Sequence, residues 1–332
     1  MRKKTKLSAD IKNSRFLYKK QKTKSLSFLE VLKEYQIGKL KKYQFISEMH
    51  EKYNVFFDFQ KILKIRGVSS LLIEEDHITI ALKKDNIKFT VDNACRSALF
   101  ELLNFGAYES NEMQMIKNLL EEQDTFFDIG AHLGWYSINL AKHYKNAKFY
   151  AFEPVPNTYS LLKRNISINR LENILSFNFG LSNEQRITKF FYSETGSAVA
   201  SERDIFDVQT LDRVTCELKT LDNFVETEKI RKIDFIKCDV EGSEFLVING
   251  GEKSIQKFLP ILFIEQVEDW CNKFNYTTSE LTSFLFSMGY KMFEITGQNL
   301  CQLQKIDTNN IDNFNFLFLH EKKHESFINK YI

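Results

Sequence analysis

From residue 107 onward the apolar residues alternate between a strand-like period of two and a helix-like period of 3.6, which constrains the fold more than any other feature. Strands are predicted at 125–129, 148–152, 174–179, 233–239 and 261–266, and helices at 136–144, 158–168, 243–249 and 279–288. Strands joined through helices form parallel sheets with helices on both faces. Two last strands, at 291–296 and 314–320, have no predicted helix between them. We therefore predict an α/β fold with a doubly wound, mostly parallel seven-stranded sheet and an antiparallel last strand.

The sequence before residue 107 has a different pattern. Period-two alternation predicts a β-hairpin from strands at 78–82 and 87–91, and Gly196 with few apolar neighbours predicts a surface loop or a lid at 193–209. Apolar residues at spacings of three and four predict helical structure within 25–66, and we expect these residues to form a packing face: Phe28, Leu29, Leu32, Tyr35, Tyr43, Ile46 and Met49.

These patterns divide the chain into four regions. They are a basic arm at 1–24, a helical and hairpin extension at 25–106, the α/β domain at 107–322 and a C-terminal tail at 323–332. The arm holds ten lysines or arginines against the single acid Asp10, which is typical of a disordered, solvated segment. Binding of the arm to an anionic surface is the alternative.

Charge and cysteine usage exclude several classes of protein. The 46 basic and 44 acidic residues nearly cancel, so the overall charge does not favour a nucleic-acid partner or an anionic membrane. The five cysteines are scattered without a CxxC pair, so neither a zinc site nor a disulfide framework is predicted. The sequence has neither an apolar run of membrane-spanning length nor a signal peptide, and we expect a cytoplasmic protein.

A glycine-containing turn follows the first strand of the α/β domain. Residues 126–135 form an apolar strand that ends at Asp128, followed by Gly130, Gly134 and a helix. Glycine lets backbone approach a ligand, and a helix N-terminus offers free N–H groups. The turn lacks the three glycines of a dinucleotide fingerprint, and the Asp128 carboxylate suits a cationic ligand better than a pyrophosphate.

A second acidic position lies one strand later. Glu153 follows the strand at 148–152, about twenty residues after the glycine turn, where an acid can accept hydrogen bonds from ribose hydroxyls. The alternative is that Glu153 caps the following helix. We expect Asn157 to take that capping role instead.

A third group of charged residues ends the strand at 233–239. Period-two alternation places Lys237, Asp239 and Glu241 on one face. Acids at the carboxyl edge of a parallel sheet lie where ligands bind. The structural alternative is that Lys237 simply pairs with Asp239 or Glu241.

Together, the motifs at 128–134, 152–156, 221–222 and 236–244, followed by Gly250 and Pro260, resemble the FkbM family of methyltransferases between about residues 107 and 320. The resemblance implies a class I methyltransferase fold, S-adenosylmethionine as cofactor, and methyl transfer to a hydroxyl of a sugar or a small metabolite. His132 and Cys238 replace the Asn and Ile that are usual in the family. The cofactor-binding residues it implies are Asp128, Gly130, His132, Gly134, Phe152, Glu153 and Gly180, with the Phe152 side chain expected to pack rather than to contact adenine.

Methyl transfer is an in-line displacement, and an alcohol needs a base to remove its proton. Asp239 is the first candidate for this base, while Glu241 and Glu265 either bind acceptor hydroxyls or act as the base themselves. Lys237 completes the predicted catalytic set, and His132 is a minor alternative base. We expect no metal.

Three other functions compete with this interpretation. A dehydrogenase would need a G-x-G-x-x-G turn, and a nucleic-acid methyltransferase would need an Asn/Asp-Pro-Pro-aromatic run; the sequence has neither. The third is a catalytically silent scaffold or glycan-binding protein. We expect a sugar or small-molecule acceptor and no nucleic-acid partner. The N-terminal extension is expected to shape acceptor choice or to mediate homo-oligomer formation.

Overall fold

The computed structural model describes residues 26–91, 96–106, 108–192, 200–205, 212–306 and 314–332. The chain divides into two compact units, with the boundary between Lys61 and Ile62. The predicted hairpin belongs to the second of these units, and the four regions expected from the sequence stay a prediction. None of the helices in the described ranges is both long enough and apolar enough to cross a membrane.

The helical prediction for the N-terminal part is confirmed. Helix α1 covers Phe28–Gln36 and α2 covers Lys42–Ile65. Ser27 and Glu30 form a reciprocal capping box that fixes the start of α1. The predicted packing face is largely wrong, because Leu29 is 77% exposed and only Met49 of that set is buried.

The hairpin is confirmed as part of a three-stranded antiparallel sheet. Strand β2 (Ile78–Leu82) pairs with β3 (Lys88–Val91), and the unpredicted β1 (Val68–Ile73) pairs with the other edge of β2. Helix α3 (Arg96–Phe105) follows this sheet, and α4 (Ser110–Leu119) precedes the main one.

The fold is α/β and its main sheet is mostly parallel, as predicted. The sheet has eight strands instead of the predicted seven. The strands in chain order are β4 (Thr125–Ile129), β5 (Lys148–Phe152), β6 (Ile174–Phe177), β10 (Phe235–Cys238), β11 (Ile261–Glu265), β12 (Tyr290–Thr296), β13 (Asn299–Leu303) and β14 (Asn315–His320). Their order across the sheet is β13-β12-β14-β11-β10-β4-β5-β6. Strand β14 is antiparallel to both neighbours, as predicted, and the eighth strand, β13, extends β12 through a tight hairpin. Without β13, this is the strand order and the single reversed strand of a class I methyltransferase-like fold.

The helices that connect the parallel strands are α5 (Trp135–His143), α6 (Pro156–Ile168), α7 (Leu221–Thr227), α8 (Glu244–Gly250), α9 (Glu252–Phe258), α10 (Glu268–Lys273) and α11 (Thr278–Ser287). The chain ends in α12 (Glu325–Tyr331), so the expected tail at 323–332 is largely helical. Ile328 of this helix is buried, which explains why the segment is ordered.

A small third sheet was not predicted. It consists of β7 (Gly180–Leu181), β8 (Arg186–Tyr192) and β9 (Asp212–Lys219), in the order β7-β9-β8. Much of the predicted surface loop or lid, at 193–199 and 206–209, lies outside the described residues. In the described part, Ser201 pairs with Phe191 through two backbone hydrogen bonds.

Aromatic residues fill the core around the main sheet. Phe126 stacks on Phe235 with ring centroids 5.0 Å apart, which joins β4 to β10. Phe152 contacts Phe224 edge-on at 4.9 Å on the other face of the sheet. Aromatic pairs at these separations add to the stabilisation from burial alone. These aromatic contacts therefore stabilise the packing of the central strands β4 and β10.

A buried amide attaches the N-terminal sheet to the main domain. Asn165 of α6 is fully buried; it accepts the Thr90 N–H at 2.7 Å and donates to the carbonyl oxygens of Thr90 and Leu133 at 3.3 and 3.0 Å. Asn169, one helical turn later, binds both backbone groups of Lys88. Strand β3 is thereby fixed to the helix that lies beside the glycine turn.

We expect Asn165→Ala to lower the free energy of unfolding by about 2–4 kcal/mol, because three buried backbone groups lose their partner. Urea unfolding followed by circular dichroism measures this change. The matched control is Asn157→Ala on the exposed face of the same helix, expected within about 0.5 kcal/mol of the wild type. Equal stabilities of the two variants would contradict this role of Asn165.

Candidate active site

The strand order reverses between β4 and β10. At such a switch point, ligands of α/β sheets bind in a crevice outside the carboxyl ends of the strands, and this place is called the crevice below. The chain order reverses here because β5 and β6 lie on one side of β4, whereas β10 and β11 lie on the other. The register pairs Lys237 with Asp128. The predicted charged residues of both strands therefore meet at this point.

Lys237 is a buried ammonium that joins the two strand ends. Its Nζ donates to the Gly130 carbonyl oxygen at 2.9 Å and lies 3.2 Å from Asp239 Oδ2 and 3.6 Å from Asp128 Oδ1. Burial alone would lower the pKa of Lys237, but the carboxylates of Asp239 and Asp128 outweigh this effect and raise it. Lys237 therefore stays protonated and is not a proton acceptor at neutral pH. The ion pair that the sequence left as an alternative is present.

Asp128 is almost completely buried, and its carboxylate stabilises the structure that follows the glycine turn. Its Oδ2 accepts the Ser137 N–H at 3.1 Å and the Ser137 hydroxyl at 2.5 Å. The carboxylate thus anchors the first turn of α5 and balances the Lys237 ammonium. The sequence favoured a cationic ligand beside the Asp128 carboxylate. The positive charge beside it in the structure is the ammonium of Lys237.

The glycine turn is shaped by close contact within the protein. Gly130 has φ +77°, and a Cβ at this position would lie 1.8 Å from the Asp239 carbonyl oxygen. The absence of a side chain therefore lets the turn after β4 lie directly against the end of β10. His132 follows in the left-handed region at φ +51°. Gly134 starts α5, and Gly180 lies on β7 against Leu218, where a Cβ would be 2.7 Å from Leu218 Cδ2.

Glu153 lies at the end of β5, opposite the turn. Its Oε2 accepts the His132 N–H and its Oε1 accepts the Val155 N–H, both at 2.9 Å. Burial raises the pKa of this carboxyl group to about 7, against the effect of these two hydrogen bonds. The predicted capping by Asn157 is wrong, because α6 starts at Pro156 with Val155 as its N-cap.

Phe152 is completely buried in the aromatic core, so its side chain packs as expected. Its carbonyl oxygen accepts the N–H groups of Gly130 at 3.1 Å and Ala131 at 2.9 Å. Any contribution of Phe152 to a ligand site is therefore made through the backbone, which ties the end of β5 to the glycine turn.

Three carboxylates converge beyond the end of β10. One oxygen each from Asp239, Glu241 and Glu265 lies within 4.8 Å of the other two. Asp239 and Glu241 are half-buried, and Glu241 has a left-handed backbone at φ +55°. Such a trio can accept hydrogen bonds from several hydroxyl groups or hold a cation. This trio is called the acidic trio below.

The loop that carries Glu241 is held by buried residues from outside it. Glu244 accepts the N–H groups of Val240 at 3.0 Å and Gly242 at 3.1 Å. Tyr276 donates to the Gly242 carbonyl oxygen at 3.0 Å from the other side. This double attachment supports the left-handed conformation of Glu241.

Three residues beside the acidic trio were missed by the sequence analysis: Tyr108, Glu109 and Tyr136. Burial raises the pKa of Tyr108, and the negative charges of Glu109 and of the acidic trio raise it further, so these groups are close in space. The Tyr108 ring packs edge-on against Trp135 at 5.5 Å. Residues 108 and 109 precede α4 and belong to no motif, so only the fold brings them to this site.

Comparison with known proteins gives a consistent family. Residues 128–292 match the Methyltransferase FkbM domain. Methyltransferase 1 of Beauveria bassiana is 25% identical over 145 residues, which cover 38% of this chain and 58% of that protein. The hexuronic acid methyltransferase AglP of Haloferax volcanii is 26% identical over 148 residues, which cover 45% of this chain and 58% of that protein.

The chain therefore spans about three fifths of the length of these two curated relatives. Among solved structures, a methyltransferase FkbM from Methylobacillus flagellatus KT is similar at 17% identity and a TM-score of 0.40, over 69% of this chain and 55% of that one. The matched region 128–292 contains the switch point, the glycine turn, Glu153 and the acidic trio. Residues 128–292 of the chain therefore form an FkbM methyltransferase domain.

Proposed function

We propose that this protein transfers the methyl group of S-adenosylmethionine to a hydroxyl of a sugar or a related small metabolite. The observation that carries the proposal is the acidic trio at the switch-point crevice, next to the glycine turn and Glu153. Hydroxyl groups are hydrogen-bond donors, and three carboxylates within 4.8 Å of one another offer many acceptor lone pairs. The family match supports methyl transfer as the chemistry.

The residues at the crevice fit the cofactor. Each Glu153 oxygen accepts one backbone N–H, and a carboxylate oxygen has a second lone pair that can accept a ribose hydroxyl. The cofactor brings an electrophilic methyl group on a positively charged sulfur. The nearby acidic trio favours that charge electrostatically.

The chain's own residues position the two reactants. Lys237 fixes the turn after β4 relative to Asp239, so the cofactor and acceptor sides of the crevice share one rigid anchor. Such positioning can contribute about 7–11 kcal/mol to barrier reduction at the upper limit. We propose that Asp239, Glu241 and Glu265 bind and orient the acceptor hydroxyls.

The acidic trio also favours one class of acceptor. A carboxylate on the acceptor placed about 5 Å from one of these acids would be repelled by about 3 kcal/mol at an effective dielectric constant of 20. A neutral sugar is therefore a better acceptor than a hexuronic acid, although one relative is named for the latter.

The cofactor site is tested by calorimetric titration with S-adenosylmethionine. We expect Glu153→Ala to weaken binding about 10- to 100-fold, because hydrogen bonds to a charged group are lost. Glu172→Ala, an exposed acid after α6, is the matched control and should bind like the wild type. A folded wild type that binds no cofactor would contradict the proposal and favour a silent scaffold.

Cofactor binding should also depend on pH through Glu153. Burial raises the pKa of this group to about 7, so it is neutral below that pH and charged above it. If the charged form is the one that accepts the ribose hydroxyls, affinity falls by up to about tenfold for each pH unit below the pKa. Isothermal titrations between pH 5.5 and 8.5 measure this slope. Glu153→Gln should remove it, and an equal slope in that variant would refute the assignment.

Acceptor choice is tested with methyl hexosides and methyl hexuronosides as probes, by mass spectrometry of the methylated products. We expect at least about tenfold higher kcat/KM for a neutral hexoside. Glu265→Gln should raise KM for the hexoside and reduce this discrimination, whereas Glu321→Gln, on the exposed turn after β14, should change neither. Preference for the hexuronoside would contradict the acceptor class, and cofactor binding without any methylation would favour a glycan-binding protein.

A further inference from the structure

Glu109 approaches the acidic trio from outside the family-matched region. It precedes α4 and has a left-handed backbone, with φ 45° and ψ 50°. Such a conformation is uncommon for a residue with a side chain, and strained residues of this kind cluster at functional sites. Within the described part of the chain, the Glu109 carboxylate does not cap α4, although it occupies the N-cap position. Its side chain bonds to the centre of the domain instead.

Both oxygens of Glu109 connect to the candidate site. Oε2 accepts the Tyr136 hydroxyl at 2.6 Å, and the Tyr136 ring lies 5.6 Å from the Lys237 ammonium. Oε1 accepts the Asn315 amide at 3.4 Å. Asn315 of β14 lies directly opposite Glu265 of β11 in the antiparallel register. Directly opposite residues have Cβ atoms about 4.5–5.5 Å apart, so Asn315 connects Glu109 to the strand position beside Glu265, and Tyr136 connects it to Lys237.

The surroundings of Glu109 suit a general base. Burial raises the pKa of Glu109 to about 7, whereas the Tyr136 hydrogen bond opposes this rise. A general base works best when its pKa lies near the operating pH. Asp239 Oδ2 is already paired with the buried Lys237 ammonium at 3.2 Å, which holds this carboxylate in place. The titratable groups that act on Glu109 are Tyr108, Glu112, Tyr136, Lys237 and Asp239.

We propose that Glu109 is the general base that takes the proton from the acceptor hydroxyl, an inference that rests on the proposed methyl transfer. The acceptor O–H bond breaks and its proton moves to the Glu109 carboxylate. The acceptor oxygen forms a bond to the methyl carbon, and the carbon–sulfur bond breaks with its electron pair left on sulfur. The sulfonium becomes a neutral thioether, so charge and atoms balance. Asp239 then orients the acceptor and Lys237 fixes Asp239.

The test uses the full chain, S-adenosylmethionine and the neutral methyl hexosides as probe acceptors. We expect Glu109→Gln to lower kcat about 10²- to 10⁴-fold. Binding of S-adenosylhomocysteine, measured by calorimetry, should stay within about twofold of the wild type. Glu121→Gln, at an exposed acid just after the same helix, is the matched control and should retain wild-type kcat.

The pH profile separates a base from a merely structural acid. With S-adenosylmethionine kept saturating at every pH, so that Glu153 does not limit the rate, kcat/KM for the hexoside should rise with pH up to about 7, because only ionised Glu109 accepts a proton. Tyr136→Phe removes a donor that lowers the pKa of Glu109, so the rising limb should move to higher pH. This variant also serves as the test if Glu109→Gln fails to fold.

The outcomes are distinguishable. A wild type that methylates hexosides while Glu109→Gln keeps at least one third of its kcat and the same pH profile overturns the base and leaves the proposed function standing. If an active Tyr136→Phe variant shows the rising limb of its kcat/KM profile at the same pH as the wild type, the role of Glu109 as the base is overturned as well. A folded wild type that methylates none of the probes overturns the proposed acceptor class and the base together.

Discussion

The buried ammonium of Lys237 is the interaction on which the rest of the site depends. It binds the carbonyl oxygen of Gly130 and pairs with Asp128 and Asp239, so one side chain fixes the turn after β4 to the end of β10. Burying an ion costs several kcal/mol and is compensated only where the geometry and the hydrogen bonds are good. Removal of the ammonium would leave carboxylates without their counter-charge, at a cost of about 3–5 kcal/mol. The crevice is therefore preorganised before any ligand binds.

Around this anchor, the site concentrates negative charge that the fold only partly neutralises. Burial raises the pKa of Glu109, Glu153 and Glu244 to about 7 each. These carboxyls differ in their partners: Glu244 holds a loop, Glu153 holds the glycine turn, and Glu109 bonds to Tyr136 and Asn315. A neutral donor of hydroxyl groups and a positively charged cofactor both suit such surroundings. The same charge accounts for the expected discrimination against acidic acceptors.

Local sequence predicted the parts of the site that lie at strand ends. The glycine turn, Glu153 and residues 237–241 each follow an apolar strand, and parallel strands bring their carboxyl ends to one edge whatever the details of packing. Strand β13 was missed because its residues Asn299–Leu303 are mostly exposed and its pairing with β12 needs only a short hairpin. The wrong cap at Asn157 reflects a competing signal, since Pro156 suits the first helical position. The position of Glu109 at the site could not be predicted from local sequence, because its hydrogen-bond partners Tyr136 and Asn315 are 27 and 206 residues away in sequence.

A crystal structure of the protein with S-adenosylhomocysteine tests the assignment of the crevice most directly. We predict that the ribose hydroxyls lie within hydrogen-bond distance of Glu153 and that the sulfur lies on the side of the turn that faces Asp239. Lys237 should keep its bond to the Gly130 carbonyl oxygen, because the ligand enters a preformed crevice. A cofactor bound away from the carboxyl ends of β4 and β5, or a Lys237 displaced from Gly130, would contradict this view of the site.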